Sequence, residues 1–343
     1  MTMSALTHPT FMDFARRENF DGKIAAIMEV AQQTNEMLDD AVVQEGNLPI
    51  GNKTTIRTGY PSATWRILNY GVQPTKSTTR QVTDTCGMLE AYAEVDKALA
   101  DLNGNTPEWR ASEDSAHLIG MSEQLATALI YGNQVTDPEK ITGFAPRFSV
   151  PSATDGVSGY NMLDGGAADG QVDTTSIWGV VWGPQTVFLT FPKGSKAGWS
   201  YENLGQVTLL DANGGRYEGY RTHYKQDVGL VVRDWKAIVR IPNIDVSTLT
   251  KDHATGANLI DLLVGLSERL SVVPGGNKAI YMNRTLRTVL RHQVKKDAGY
   301  NLTLDTVGGK HVMAFDDITI RRVDAITNAE TAILDAAGTF PTW

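Results

Sequence analysis

The feature that most constrains this chain is a mismatch between residues 47–84 and the segments around them. The stretch carries Thr54, Thr55, Thr58, Thr64, Thr75, Thr78, Thr79 and Thr83. Threonine favours strands, and Gly59-Tyr60-Pro61 and Gly71-Val72-Gln73-Pro74 supply turns. The expected element is a long two- or three-stranded ribbon with few large apolar side chains. An isolated ribbon of that kind is marginal in water, so it needs another surface to lie on. Its charge is also one-sided: Lys53, Arg57, Arg66, Lys76 and Arg80 face a single acid, Asp84. The flanking segments are acidic. Before it stand Asp13, Glu18, Asp21, Glu29, Glu36, Asp39, Asp40 and Glu45. After it stand Glu90, Glu94, Asp96, Asp101, Glu108, Glu113, Asp114 and Glu123. Opposite charge sets register and partner choice, which points to one copy of the chain lying on another.

Composition narrows the rest. At 343 residues the chain exceeds what one core usually serves, so two or three lobes are expected. Apolar residues at 41% and charged residues at 20% exclude a disordered chain and a coiled-coil rod. A net charge of −8 disfavours a general nucleic-acid binder. The lone Cys86 excludes an internal disulfide and a thiolate-rich zinc site, and reads as a small buried apolar residue. The N-terminal MTMSALTHPTFMDFARR is not a secretory signal. The most apolar window, Ile177 to Pro192, is too short and interrupted to span a bilayer, so a cytoplasmic protein is expected.

Periodicity places the other elements. Residues 21–40 read as a helix capped by Asp21. Residues 86–102, with Met88, Leu89, Tyr92, Val95, Leu99 and Leu102, also read as a helix. Thr106-Pro107 then opens a helix of roughly 25 residues, about 38 Å long, ending at Gly132. Residues 176–182 and 185–191 around Gly183-Pro184 read as a hairpin, as do 204–224 around Asn213-Gly214-Gly215. Residues 227–244 read as another buried strand pair. Asp155 to Asp173 reads as a glycine-rich solvated loop. Helices return at 257–271 and 283–297, the second after a short strand at 278–282. A strand over 317–323 closes the fold.

Catalytic signatures are missing. The sequence holds no P-loop, HExxH or GxSxG. The six histidines have no ligand-like spacing, so no metal and no cofactor is expected. The aspartates at 155, 164, 169 and 173 lack the EF-hand order. Glu90 and Glu94 read as one solvated helical face rather than a catalytic pair.

The order of elements resembles the tailed-bacteriophage major capsid proteins of the Hong Kong 97 type. NKAIYMNRTLRTVLRHQ (277–293) is similar to the family's axial-domain strand and helix. TDPEKITGFAPRFS (136–149), SIWGVVWGPQTVFLTFPKGSKAG (176–198) and GGRYEGYRTHYKQDVGLVVRDWKAIVRIPNID (214–245) resemble a short-tailed phage branch. The resemblance implies an α+β fold with a long spine helix, an extended E-loop hairpin, a P-domain and an A-domain. Strands that usually come last precede the A-domain helices here, which implies a permuted order. The implied division is an N-terminal arm and helix at 1–47, the E-loop at 48–84, and a P-domain with the spine at 85–150. A strand-rich region at 151–256, an A-domain at 257–313 and a C-terminal strand and tail at 314–343 complete it.

The implied function is a major capsid protein in the virion. Its hexamers and pentamers would form an icosahedral shell around double-stranded DNA, assembled in the host cytoplasm. Implied partners are further copies of itself, the portal protein, and scaffolding and cement proteins, with DNA touched only non-specifically and no membrane. A lysine–asparagine crosslink would draw on Lys53 or Lys76, but nothing positions them, so a non-covalent shell is expected. No cleavage of the short N-terminal arm is expected. The candidate inter-subunit residues are the cations Lys53, Arg57, Arg66, Lys76 and Arg80, facing Glu90, Glu94, Asp96, Asp101, Glu113, Asp114 and Glu123 of a neighbour. Tyr60, Trp65 and Tyr70 are the aromatic anchors. Two other classes stay open: a hydrolase on a β-rich lobe, and a minor decoration or connector protein.

Overall fold

The computed structural model describes residues 34–102, 106–211, 213–251, 255–270, 275–296, 303–307, 310–333 and 340–341. In chain order the strands are β1 (Val43–Glu45), β2 (Gly51–Gly59), β3 (Thr78–Thr85), β4 (Gly87–Asp96), β5 (Thr174–Trp182), β6 (Val187–Phe191) and β7 (Ser200–Leu210). They continue with β8 (Arg216–Val232), β9 (Ile238–Asp245), β10 (Asn277–Met282), β11 (Thr303–Val307), β12 (Lys310–Phe315) and β13 (Ile318–Arg322). The long helices are α1 (Thr106–Tyr131), α2 (Leu259–Arg269) and α3 (Arg284–Lys296). The arm at 1–20 and most of the helix expected at 21–40 lie outside the described residues. A single helical turn, Met37–Asp40, stands at the latter's end.

The chain divides into two compact units. One contains Met88–Leu125 and Lys196–Asp227. There the expected helix at 86–102 is corrected: it is the strand β4 followed by one turn, Lys97–Ala100. Its sequence GMLEAYAEVD fits both a helical and an alternating period. Leu89, Ala91, Ala93 and Val95 turn inward, while Met88 and Tyr92 lie exposed. Pairing with β8 decides between the two periods. Two apolar clusters follow, Val95–Leu99–Ala100–Trp109 and Ala93–Met121–Tyr224, so α1 contributes Trp109 and Met121. The expected hairpin of β7 and β8 is present. Its turn is closed by Asp211, whose carboxylate accepts from the backbone N–H of Asn213 (2.8 Å) and Gly215 (2.7 Å).

The second unit contains Gln33–Gly87, Ala126–Ser195 and Val228–Trp343. Its sheet runs β11-β12-β13-β10-β5-β6, with residues 229–232 of β8 beyond β6. All nine residues of β5 are buried, the pattern of a strand covered on both faces. Its neighbours are β10 and β9, both antiparallel. The expected hairpin of 176–182 with 185–191 is corrected: β5 and β6 meet only at Trp182 and Val187, in the parallel sense. The buried halves of 227–244 do not pair with each other either. Residues 229–232 pair with β6, and β9 pairs with β5.

Strands β11 and β12 stand where the sequence pattern predicts no element. The segment expected as a solvated loop at 155–173 is partly anchored, because Leu163, Gly165 and Ala167 donate to the carbonyls of Arg240, Pro242 and Asn243 (3.0, 2.9 and 2.9 Å). Cys86 is half-buried rather than buried.

Helix α2 lies against β5 because Gly179 has no side chain. A Cβ there would stand 2.7 Å from Leu266 Cδ2. Asn258 and Asn283 cap the starts of α2 and α3 through the N–H of Ile260 (3.2 Å) and Leu286 (2.9 Å). Two polar networks are buried in this unit. Trp182 Nε1 donates to Tyr281 Oη (2.7 Å), Tyr281 Oη donates to Asp40 (3.1 Å), and Arg321 grips Asp40 with two N–H groups (3.1 and 2.8 Å). Burial and the Asp40 charge hold the Tyr281 hydroxyl well above its ordinary value. In the other network, Arg240 pairs with Glu330 at 3.0 Å and stacks on Trp178. Glu330 also accepts from Ser176 and Tyr131.

Candidate interaction surfaces

The ribbon forms as its threonines indicate. Strands β2 and β3 pair antiparallel from Gly51 opposite Thr85 to Gly59 opposite Thr78, with an irregularity after Arg57. Its base is tightly held. A Cβ at Gly51 would stand 2.1 Å from the Asp84 carbonyl oxygen, and φ is +153°, so glycine is required. The side chain of Asn47 accepts from the Lys53 N–H and donates to the Lys53 carbonyl, both at 2.7 Å. Asp84 is buried and pairs with Arg147 at 2.9 Å. The one acid of the segment is therefore consumed inside the fold, and the charges left on the ribbon's outer surface are all basic.

Lys53, Arg57, Arg66, Lys76 and Arg80 are all exposed. Among the described residues none of them makes an ion pair. Arg57 lies over the Tyr60 ring, 6.0 Å from its centroid. The connecting loop is closed by Thr75 Oγ1 donating to the Ser62 carbonyl (3.0 Å) and by the Tyr70 N–H donating to the Ile67 carbonyl (3.2 Å). It presents Tyr60, Trp65, Ile67, Leu68 and Tyr70 to solvent, and Trp65 is 100% exposed. Ile67 and Leu68 belong to this patch beside the three aromatic anchors expected from the sequence. Their signal was an apolar pair between aromatic residues in a segment without a core.

The acidic candidates behave differently. Four of them sit on β4 and the turn after it, not on a helix, and have partners in their own unit. Glu90 faces His223 (3.2 Å) and Lys225 (3.7 Å), Glu94 pairs with Arg221 (2.6 Å), and Asp101 pairs with Lys97 (2.5 Å). Asp96 caps the turn through the Ala98 N–H (2.8 Å). His223 also stacks on Tyr92, with ring centroids 4.4 Å apart. Glu113, Asp114 and Glu123 lie on α1, half-buried. Asp114 bonds the Tyr224 hydroxyl, which burial first and Asp114 second push above its ordinary value. These partners on β8 were invisible in sequence, because they depend on which strand lies beside β4.

Among the described residues no cluster of histidine, cysteine and carboxylate side chains forms a metal site. No described helix is long and apolar enough to cross a membrane.

A family model described as major capsid protein GP7 matches residues 19–334. A chain of bacteriophage Epsilon15, solved by cryo-EM, is 37% identical. The match covers 97% of this chain and 99% of that one, with a TM-score of 0.78. The bacteriophage JBD30 capsid is similar at 11% identity over 87% of this chain and 93% of that one, TM-score 0.49. The capsid of a native GTA particle is similar at 12% identity over 64% and 92%, TM-score 0.42. No curated protein sequence matches.

Proposed function

The chain belongs to the family of the major capsid protein GP7, and from that membership we propose how its surfaces join one subunit to the next. It is a structural protein of the phage virion, with an α+β fold of the Hong Kong 97 type, and it self-assembles into the capsid shell. The hydrolase and decoration-protein alternatives give way to that membership.

The ribbon at 48–84 acts as the E-loop and lies across an adjacent subunit. The single observation that carries this is a ribbon whose five exposed cations make no ion pair among the described residues and whose loop exposes six large apolar side chains, Val72 being the sixth. Apart from the contact of Arg57 with the Tyr60 ring, neither group is matched by its own fold among the described residues. Lys53, Arg57, Arg66, Lys76 and Arg80 meet carboxylates of the neighbour, while Tyr60, Trp65 and Tyr70 are covered by it. Glu90, Glu94, Asp96, Asp101, Glu113, Asp114 and Glu123 are the candidate acceptors. A carboxylate has room for about four hydrogen bonds, so those already paired accept a second cation.

The same reading takes the permuted strand order, hexamers and pentamers around double-stranded DNA, and assembly in the host cytoplasm with portal, scaffolding and cement proteins. The test is direct. Arg57→Glu with Arg80→Glu should lower the yield of shells seen by negative-stain microscopy, and rising salt should weaken assembly of the unaltered chain. Shells formed equally well by the variant at all salt concentrations would sink the pairing.

A further inference from the structure

The chain is acidic overall, yet α3 (RTLRTVLRHQVKK) contains no acid. Arg284, Arg287, Arg291 and Lys295 recur at steps of three and four residues, so they share one stripe. Arg284, Arg291 and Lys295 are exposed and Arg287 is half-buried. Among the described residues none of the four makes an ion pair. The opposite face of α3 is committed inward through Leu286, Leu290 and Gln293, which accepts from the Leu259 N–H (3.1 Å) and donates to the Thr250 carbonyl (3.1 Å).

Helix α2 carries the complement. Between α2 and the loop at 164–166 runs a groove of about 760 Å³ lined by the acids Asp164, Asp261 and Glu268 together with Leu262, Val264 and Gly265. Arg269 also lines it, but donates to the Tyr160 carbonyl and stacks over that ring at 5.2 Å. The loop wall is already fixed: it is hydrogen-bonded along β9, and Asn243 Nδ2 donates to Asp164 (3.1 Å). No residue of α3 lines the groove, so the chain does not fill it with its own basic helix.

We propose that this acidic groove on α2 receives the basic stripe of α3 from a second copy of the chain. Two different surfaces of one chain then meet, a heterologous contact that closes into a ring when repeated. A groove lined by both apolar and acidic side chains suits an amphipathic helix of opposite charge. A polyanion would account for the stripe on α3 but not for the acids on α2. The inference rests on the reading that copies of the chain assemble, and concerns a surface other than the ribbon.

The test uses the full chain. One variant carries Arg291→Glu and Lys295→Glu, a second Asp261→Lys and Glu268→Lys, and a third all four changes. Assembled fraction is read by sedimentation velocity and negative-stain microscopy, with folding checked by circular dichroism. Each half-reversal should lower the assembled fraction about tenfold, since facing like charges repel strongly, and the fourfold variant should regain most of it. If the α2 reversal unfolds, Val264→Lys at the exposed midpoint of the groove replaces it, with the same loss expected. A fourfold variant no better than either half overturns the contact. So does an α3 variant that assembles normally but binds duplex DNA less well, which would make the stripe a polyanion site. An unaltered chain that forms no assembly defeats the underlying reading instead.

Discussion

Two antiparallel strand pairs in this molecule use the same backbone geometry for opposite ends. In β5 and β9 every residue is buried. In β2 and β3 only Gly51, Asn52 and Asp84, all at the base, are buried. The difference shows in their arginines. Arg240 on β9 is matched within the fold by Glu330, with Ser176 and the Phe148 carbonyl beside it. Arg57 and Arg80 on the ribbon have no ionic partner among the described residues. One pair is complete in the monomer. The other, on the reading proposed above, is completed by a neighbouring subunit.

The comparison can be broken at several points. The largest effect is expected from Glu330→Ala, which strands the buried Arg240 charge and should cost about 3–5 kcal/mol. Chemical denaturation measures it, and a loss under 1 kcal/mol would mean that the pair is replaceable. Gly179→Val drives side-chain atoms into Leu266 and should cost about 1–3 kcal/mol by overpacking. Asn283→Ala removes the cap of α3 and a bond to Thr175, for about 1 kcal/mol. The ribbon should respond the other way. Trp65→Ala should leave monomer stability within about 0.5 kcal/mol while reducing shell yield. A destabilised monomer would show that the ribbon packs on its own subunit.

The smallest effect concerns pH. Burial pushes the Asp324 carboxyl up, but Arg322 and the Thr34 N–H outweigh it and hold the group below its ordinary range. A depressed folded value means that the contribution is present above the ordinary carboxylate range and is lost as pH falls through the folded value. Asp324→Asn should therefore flatten the acid limb of the stability curve by about 0.5 kcal/mol or less, after solvent screening.

Local patterning made α1, α2, α3 and the ribbon legible. Each declares itself through caps, a strong period or turn residues. The failures have one physical source, which is tertiary choice. At 87–96 the apolar residues fit two periods, and only β8 selects the strand. At 176–191 the Gly183-Pro184 turn is real, but β5 and β6 each find better partners elsewhere. The candidate surfaces divide in the same way. The unpaired cations were readable because the ribbon's own sequence offers a single acid, Asp84, to match them. The local partners of Glu90 and Glu94 were not, because Arg221 and His223 lie about 130 residues further along the chain.

The central position of β5 also has a consequence for the order of events in time. Its pairing strands, β9 and β10, are both made after it, and β10 ends at Met282. At a synthesis rate of 5–20 residues per second, the apolar run Ile177–Trp182 leaves the ribosome roughly 5–20 s before its last partner. During that interval it is a bare, β-prone segment without a charge, the kind that nascent chains stick by. A shell needs many copies of the chain. The strand that holds the finished subunit together is therefore open to wrong pairing while its own partners are still being made.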